Sequence, residues 1–326
     1  MEFKENRSTL ANIATLYYKG DMSQDEIAEM YKLSRFKISR ILKKCRQLKI
    51  VDFNINNPPS YFEELQSYLC KKLNLQSVIV TQSGSTPEES KTIVGKAAAK
   101  YLEDHIVNGM KIGVSWGSTI QTMIQPFSPK KSYDNCVFVQ LSGSSCTQSM
   151  ADIGYMDGRD IVQSLAKKVN SKWSAFPVPL EVQSPALRNA LLQEPAVQRH
   201  MSYFKELDIA FLGIGSTLPE KSISYISGYI TLEESKKIAK ERKSYDICGA
   251  RITIDNKMDQ CVLSERVLSI DCESLQNIPD SIAVTTGSDK AETLYITAKN
   301  RYCQRMIIDE IAALSLRNLI ESNKFA

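Results

Sequence analysis

The sequence predicts an all-α helix-turn-helix domain at residues 1–57 and a doubly wound, mostly parallel α/β domain at residues 58–326. Residues 1–57 carry 11 Lys and Arg against 7 Asp and Glu, whereas residues 58–326 carry 30 of each kind, so the net charge of +4 belongs to the first part. Pro58 and Pro59 indicate a stiff linker at the boundary. After them, apolar strand-like segments alternate with helix-like segments, which favours a parallel sheet covered by helices.

The composition is that of an ordinary globular protein. Its 326 residues are enough for two domains, and 43% are hydrophobic and 24% charged. No apolar segment is long enough to span a membrane, and the N-terminus has no signal-peptide core. The eight cysteines form no CxxC pair, and His105 and His200 lie far apart. We therefore expect a cytoplasmic protein with reduced thiols, no metal site, no cofactor and no membrane partner.

The first domain begins with two helix-like segments. Residues 10–18 have the apolar pattern of a helix, which ends before Gly20. Ser23 and Glu26 then have the spacing of a capping box, in which the hydroxyl and the carboxylate each bond a free backbone N–H of the other residue. The capping box predicts a second helix that begins directly after Ser23.

A third helix follows after a turn of two residues. Ser34 is its predicted N-cap, and the apolar residues among 35–44 lie on one face. Eight basic and no acidic residues lie within 32–49. Two short helices joined by a tight turn, the second of them basic, are typical of a DNA-binding helix-turn-helix. The alternative is an unrelated three-helix bundle with a solvated basic face.

Side chains exposed near this turn are the predicted DNA contacts. Arg and Lys read guanine or bind phosphate, and hydroxyl and amide side chains suit either role. The predicted DNA-contacting residues are Gln24, Ser34, Arg35, Lys37, Ser39, Arg40 and Lys43. The alternating run 50–55 is compatible with a wing strand.

The elements of the second domain follow from the length and period of its apolar segments. Short apolar runs bounded by turn formers predict buried strands, and longer runs with helical spacing predict helices. The predicted strands are 77–81, 111–115, 136–141, 209–212, 281–284 and 305–308. The predicted helices are 62–73, 88–106, 158–169, much of 185–207, and segments after 119, 290 and 310.

Small polar residues follow several of the predicted strands. In an open α/β sheet, ligands bind at the carboxyl ends of the strands. The loop 116–119 suits an anion, because it offers free backbone N–H groups, hydroxyl donors and a glycine. Lys290 would add a cation, and Asp309 and Glu265 are acceptors for sugar hydroxyls. The alternative for the loop is an ordinary N-cap in which Trp116 anchors the core.

The chain resembles the SorC family of bacterial sugar-responsive transcription regulators over nearly its full length. The motifs that carry the resemblance are residues 16–18, 23–28, 34–42, 113–119, 139–143, 213–215, 246–248 and 308–309. The resemblance implies an effector domain related in fold to ribose-phosphate isomerases and glucosamine-phosphate deaminases. It also implies a homotetramer, or dimers that pair on DNA, and a sugar or sugar-phosphate inducer.

The resemblance also places the effector. The predicted effector-binding residues are Ser115, Trp116, Gly117, Ser118, Thr119, Ser142, Gly143, Ser144, Glu265, Lys290 and Asp309. A phosphate would lie on the 116–119 loop, with the remaining residues around the pocket.

The predicted function is a sequence-specific DNA-binding regulator of a carbohydrate-utilisation operon, whose partners are operator DNA and a sugar or sugar phosphate. One alternative is a sugar-phosphate isomerase-like or deaminase-like enzyme with an accessory helical domain. We predict no catalytic residue, because no histidine lies at a strand end and no carboxylate pair accompanies one. A constitutive DNA binder is the other alternative, and the neutral second domain disfavours it.

Overall fold

A computed structural model describes residues 5–53, 60–144, 154–241, 245–252 and 264–323. The chain divides into two compact units. The N-terminal unit contains Met1–Pro59 with Ser83–Ser90, and the C-terminal unit contains Ser60–Gln82 with Lys91–Ala326. The predicted linker at residues 56–59 lies outside the described residues, and the predicted boundary between residues 57 and 58 stays a prediction.

The N-terminal unit has the predicted helix pair. Its helices are α1 (Arg7–Tyr18), α2 (Gln24–Tyr31) and α3 (Arg35–Gln47). Ser23 Oγ accepts a hydrogen bond from the Glu26 N–H at 3.2 Å, and the Glu26 carboxylate accepts one from the Ser23 N–H at 2.7 Å. Ser34 Oγ accepts from the Lys37 N–H at 3.2 Å and caps α3. Both caps therefore lie where the sequence predicts them.

The core of this unit is made by one face of each helix. The buried residues are Leu10, Ile13, Ala14, Ile27, Ala28, Ile38, Ile41, Leu42 and Cys45. The predicted wing strand is wrong over residues 50–53, which have no strand structure, and residues 54 and 55 lie outside the described residues. Instead of pairing with a strand, Phe53 packs its ring against the Tyr18 ring, with centroids 5.1 Å apart.

The described part of the C-terminal unit contains a seven-stranded sheet. The strands of the unit are β1 (Ser77–Thr81), β2 (Lys111–Val114), β3 (Val137–Gln140), β4 (Lys172–Ser174), β5 (Ile209–Gly213), β6 (Tyr245–Ile247), β7 (Ala250–Ile252), β8 (Asp280–Thr285) and β9 (Arg305–Asp309). The sheet has the order β1-β9-β8-β5-β2-β3-β4 with every pair parallel, and β6 and β7 form a separate antiparallel hairpin. The predicted parallel α/β fold is confirmed.

Helices cover both faces of the sheet. The α-helices described after the first three are α4 (Tyr61–Leu73), α5 (Pro87–His105), α6 (Gly158–Lys168), α7 (Pro185–Leu192), α8 (Pro195–Ser202), α9 (Ile223–Ile226), α10 (Leu232–Glu241), α11 (Cys272–Asn277), α12 (Ala291–Lys299) and α13 (Glu310–Glu321). Within the described ranges, no helix combines the length and the apolar character needed to cross a bilayer.

The strands separate two apolar cores because successive side chains point to opposite faces. Ile282 and Val284 of β8 belong to one core, and Ala283 between them belongs to the other. Phe211 and Leu212 of β5 divide in the same way. Burial on both faces explains why these strands are almost continuously apolar in the sequence.

Three features differ from the sequence prediction. The edge strand β4 is short and partly exposed, so it has no apolar run to identify it. The β6–β7 hairpin was also missed. Its turn residues Cys248 and Gly249 have φ values of 56° and 85°, the left-handed geometry of a two-residue hairpin turn. The helix predicted after residue 119 is instead a short 3₁₀ helix, Ile120–Met123.

Candidate functional site

The chain reverses its direction across the sheet between β2 and β5. From β2 it continues through β3 to β4 on one side, and from β5 it continues through β8 to β9 on the other. A crevice forms at such a switch point, outside the carboxyl ends of the two central strands. A cavity that is open to solvent lies there.

Three segments form most of the cavity wall. They are the loop after β2, the loop after β5 and the β6–β7 hairpin. The lining residues are Trp116, Gly117, Ser118, Tyr155, Gly213, Ile214, Gly215, Ser216, Lys221, Ser222, Ile223, Ile226, Asp246, Cys248, Gly249, Arg251 and Lys290.

Close backbone contacts hold these segments together. Ser115 Oγ accepts a hydrogen bond from the Gly213 N–H at 2.7 Å and donates one to the Trp116 carbonyl at 2.9 Å. The Gly215 N–H donates to the Asp246 carbonyl at 2.8 Å. A Cβ atom on Gly215 would lie 2.4 Å from the Asp246 Cβ, so only glycine allows the hairpin to approach this closely.

Two lysines and one aspartate form a charged group at the cavity. Lys221 Nζ lies 3.2 Å and Lys290 Nζ lies 4.0 Å from Asp289 Oδ2, which also accepts a hydrogen bond from the Ser216 hydroxyl. Burial lowers the pKa of Lys290 to about 8, although Asp289 partly opposes the shift. Burial alone would raise the pKa of Asp289, but Ser216 and the two lysines together hold it below its ordinary value.

A buried arginine lies on the hairpin wall. The Arg251 side chain is 7% exposed, and its Nη1 lies 3.5 Å from Asp246 Oδ2. Its Nη2 donates a hydrogen bond to Ser224 Oγ at 2.7 Å. Its Nε has no hydrogen-bond partner among the described residues. The cavity wall therefore contains a largely buried guanidinium group.

Four of the predicted effector-binding residues line the cavity: Trp116, Gly117, Ser118 and Lys290. Ser115 is fully buried behind them and joins the ends of β2 and β5. Thr119 is 7% exposed and precedes the 3₁₀ helix without capping it. The structure thus brings the centre of the predicted loop to the same cavity as Lys290.

The other predicted effector-binding residues do not line this cavity. Ser142 is buried, Ser144 Oγ donates a hydrogen bond to Asp157 at 3.1 Å, and the Gly143 N–H donates to the Leu268 carbonyl at 2.9 Å. Asp309 is buried and caps α13, and it also accepts from the Gly287 N–H at 2.9 Å. Glu265 is exposed in a 3₁₀ turn.

Sequence reasoning missed Lys221, Asp246, Arg251 and Asp289. Asp246 and Arg251 could have been found, because they are the two charged residues in the otherwise mostly apolar segment 245–252. Gly249 lies between them as a candidate turn residue, and the two charged residues are cross-strand partners in the hairpin. Lys221 and Asp289 have no such signal, because their contact joins two distant loops. Among the residues that the structure describes, no three His, Cys, Asp or Glu side chains are grouped as metal ligands.

The predicted DNA-contacting residues lie around α2 and α3. Arg35, Ser39, Arg40 and Lys43 are exposed on α3, Ser34 is exposed as its cap, and Gln24 is half-buried at the start of α2. Glu5 makes ion pairs with two cations of α3, with Lys37 Nζ at 3.0 Å and Lys44 Nζ at 2.5 Å. These bonds, from Lys44 first and then from Lys37, lower the pKa of Glu5 to about 2.

Comparisons with known proteins extend over almost the whole chain. The family model described as "Putative sugar-binding domain" matches residues 58–318. The sorbitol operon regulator of Klebsiella pneumoniae is 27% identical over 325 residues, covering 97% of this chain and 100% of that protein. The deoxyribonucleoside regulator of Bacillus subtilis (strain 168) is 24% identical over 317 residues, covering 97% and 99%.

A solved structure also matches almost the whole chain. The crystal structure of full-length SorC from Klebsiella pneumoniae superposes with a TM-score of 0.70 at 26% identity, covering 96% of this chain and 100% of that chain. The relatives named here are transcriptional regulators, which confirms the prediction of a regulator over that of an isomerase-like enzyme. The chain therefore belongs to the sugar-binding domain family, as a SorC-type transcriptional regulator.

Proposed function

We propose that this regulator binds operator DNA of a carbohydrate-utilisation operon through α3 and is controlled by a sugar or sugar phosphate in the cavity. The observation that carries the proposal is the presence, in one chain, of a capped basic helix-turn-helix and a polar cavity at the switch point of the sheet. The effector would touch Trp116, Gly117 and Ser118. Because its proposed target is DNA, the protein would act in the cytoplasm.

The charges at the cavity favour an effector with a phosphate group. Lys221, Lys290 and Arg251 line the wall, and the carboxylates nearest to them are Asp246 and Asp289. A phosphate accepts charge-assisted hydrogen bonds from a guanidinium group and stabilises the charged form of a buried lysine. The family resemblance leads to the same ligand class.

We expect the affinity for a phosphorylated ligand to fall above pH 8. Burial lowers the pKa of Lys290 to about 8, and a bound phosphate would raise it. Above pH 8 the lysine must therefore take up a proton when the ligand binds, which lowers affinity by up to about tenfold per pH unit. A thermal-shift screen of sugar phosphates, followed by titration of a positive ligand between pH 7 and 9.5, measures this dependence.

Two controls separate Lys290 from other groups. The arginine of Lys290→Arg keeps its charge between pH 7 and 9.5, so the affinity of this variant for the sugar phosphate should not change with pH. The unphosphorylated form of the same sugar should also show no decrease. If the affinity for the sugar phosphate decreases equally with pH in wild type and in Lys290→Arg, Lys290 does not bind the phosphate.

Two substitutions in the N-terminal unit should change DNA affinity in opposite directions. Arg40→Ala should weaken binding by about 1–3 kcal/mol if the side chain reads a base. Glu5→Gln should tighten binding and steepen its salt dependence, because Lys37 and Lys44 then lose their ion pairs with Glu5. Fluorescence anisotropy with DNA selected by the protein from a random pool measures both changes. Unchanged affinity in folded Arg40→Ala would argue against α3 as the reading helix.

We also propose the assembly that the family resemblance implies. Residues 58–326 would bind the effector and hold a homotetramer, or dimers that pair on DNA, and residues 1–57 would bind the operator. Effector binding would change the spacing of the DNA-binding domains relative to the half-sites. The match of the family model to residues 58–318 supports this division of labour.

A further inference from the structure

The outward face of α3 carries one large apolar side chain. Ile38, Ile41, Leu42 and Cys45 define the buried face of this helix. At 100° per residue, the opposite face consists of Phe36, Arg40, Lys43 and Gln47, which follow one another at intervals of four, three and four residues. Phe36 therefore lies on the same stripe as two cations, in the first turn of the helix.

Phe36 is unusually exposed for its size. Its relative exposure of 73% is the largest among the exposed large apolar residues of the described chain. A single exposed apolar residue is ordinary on most surfaces. Here, however, Arg35, Arg40 and Lys43 are exposed on the same helix, which contains no acidic residue. The nearby carboxylates of Glu5 and Asp25 pair with Lys37, Lys44 and Arg35, so the exposed basic residues of α3 still outnumber the acidic ones around them. A partner that suits this face is polyanionic and also offers an apolar group.

The major groove of DNA satisfies both requirements. Its phosphates attract the cations, and the C5-methyl group of thymine is the apolar feature that side chains such as Phe read there. The first turn of the second helix is the part of a helix-turn-helix that reaches the base edges. We propose that Phe36 contacts a thymine methyl group in the operator and selects thymine at that position. This inference rests on the proposed DNA binding of α3.

The proposal is tested by removing the methyl group alone. The probe is a duplex that the full-length protein selects from random-sequence DNA, in which each thymine near a half-site is replaced in turn by deoxyuridine. This change preserves base pairing. For wild type we expect one position at which deoxyuridine weakens binding about threefold to fivefold, the effect of one buried methyl group. For Phe36→Ala, thymine and deoxyuridine at that position should bind equally.

Two matched variants separate the apolar contact of Phe36 from the overall affinity for DNA. Phe36→Leu retains an apolar contact and should keep part of the preference for thymine. Arg40→Ala lies on the same stripe and should keep the whole preference while binding more weakly. If Phe36→Ala binds too weakly for comparison, a lower salt concentration strengthens binding to both duplexes and restores the measurement.

The outcomes separate the inference from the function on which it rests. If wild type loses no affinity at any deoxyuridine position, or Phe36→Ala keeps the wild-type loss, the proposed thymine contact is overturned although DNA binding stands. If the wild-type protein selects no duplex, the proposed DNA binding itself fails.

Discussion

Arg251→Ala should destabilise the C-terminal unit by about 3–5 kcal/mol, the cost of leaving one charge of a buried ion pair without its partner. Arg251 and Asp246 are 7% and 11% exposed, and their closest charged atoms are 3.5 Å apart. Urea unfolding followed by tryptophan fluorescence measures this loss. The signal reports on the C-terminal unit, because both tryptophans, Trp116 and Trp173, belong to it.

A double variant is the control for this prediction. Replacing both members, Asp246→Asn with Arg251→Met, removes the uncompensated charge and should recover most of the stability lost in Arg251→Ala. Because it also removes the guanidinium group, it should weaken binding of a phosphorylated effector. Wild-type stability of Arg251→Ala would show that Asp246 finds other partners and that the ion pair is not needed.

Acidification should destabilise the C-terminal unit through His200. Its Nε2 lies 2.8 Å from the Gln140 carbonyl, which only accepts, so Nε2 carries the proton and Nδ1 accepts from Ser174 Oγ at 2.8 Å. Its ring stacks on Phe176 with centroids 4.7 Å apart. Burial lowers its pKa from 6.5 to about 4. The unfolded chain therefore binds the proton first as the pH falls.

The direction and the size of the change in stability with pH follow from this difference in the pKa of His200 between the folded and the unfolded chain. The stabilisation is complete above pH 6.5 and declines as the pH falls to 4, for a total loss of about 3 kcal/mol. His200→Gln should be less stable at pH 7.5 but should show a smaller decrease between pH 7 and 4, in the same tryptophan-detected unfolding experiment. Parallel pH curves for the two proteins would show that His200 does not titrate on unfolding.

The sequence predicts best where a local pattern decides the structure. The caps at Ser23 and Ser34 depend on residues three positions apart, and both are confirmed. The buried parallel strands are also recognisable, because burial on both faces requires continuous apolar runs. The loop after β2 is also predicted from a local pattern, and the structure places Trp116, Gly117 and Ser118 of this loop at the cavity.

Contacts between distant segments are harder to predict. A polar residue at a strand end, such as Asp309, can cap a helix and join neighbouring loops instead of lining the cavity. Conversely, Lys221 and Asp289 meet only because the loops after β5 and β8 lie side by side. Their pairing depends on the strand order, which the sequence pattern does not contain.

We expect occupation of the cavity to control DNA binding. The most direct measurement is the affinity of the full-length protein for its selected DNA, at one salt concentration, with and without a saturating sugar phosphate identified by thermal shift. We predict that the ligand changes DNA affinity by at least about fivefold, the lower end of ordinary allosteric coupling, and that the unphosphorylated sugar has a smaller effect. Equal DNA affinity in the presence and absence of a ligand shown to fill the cavity would contradict the account.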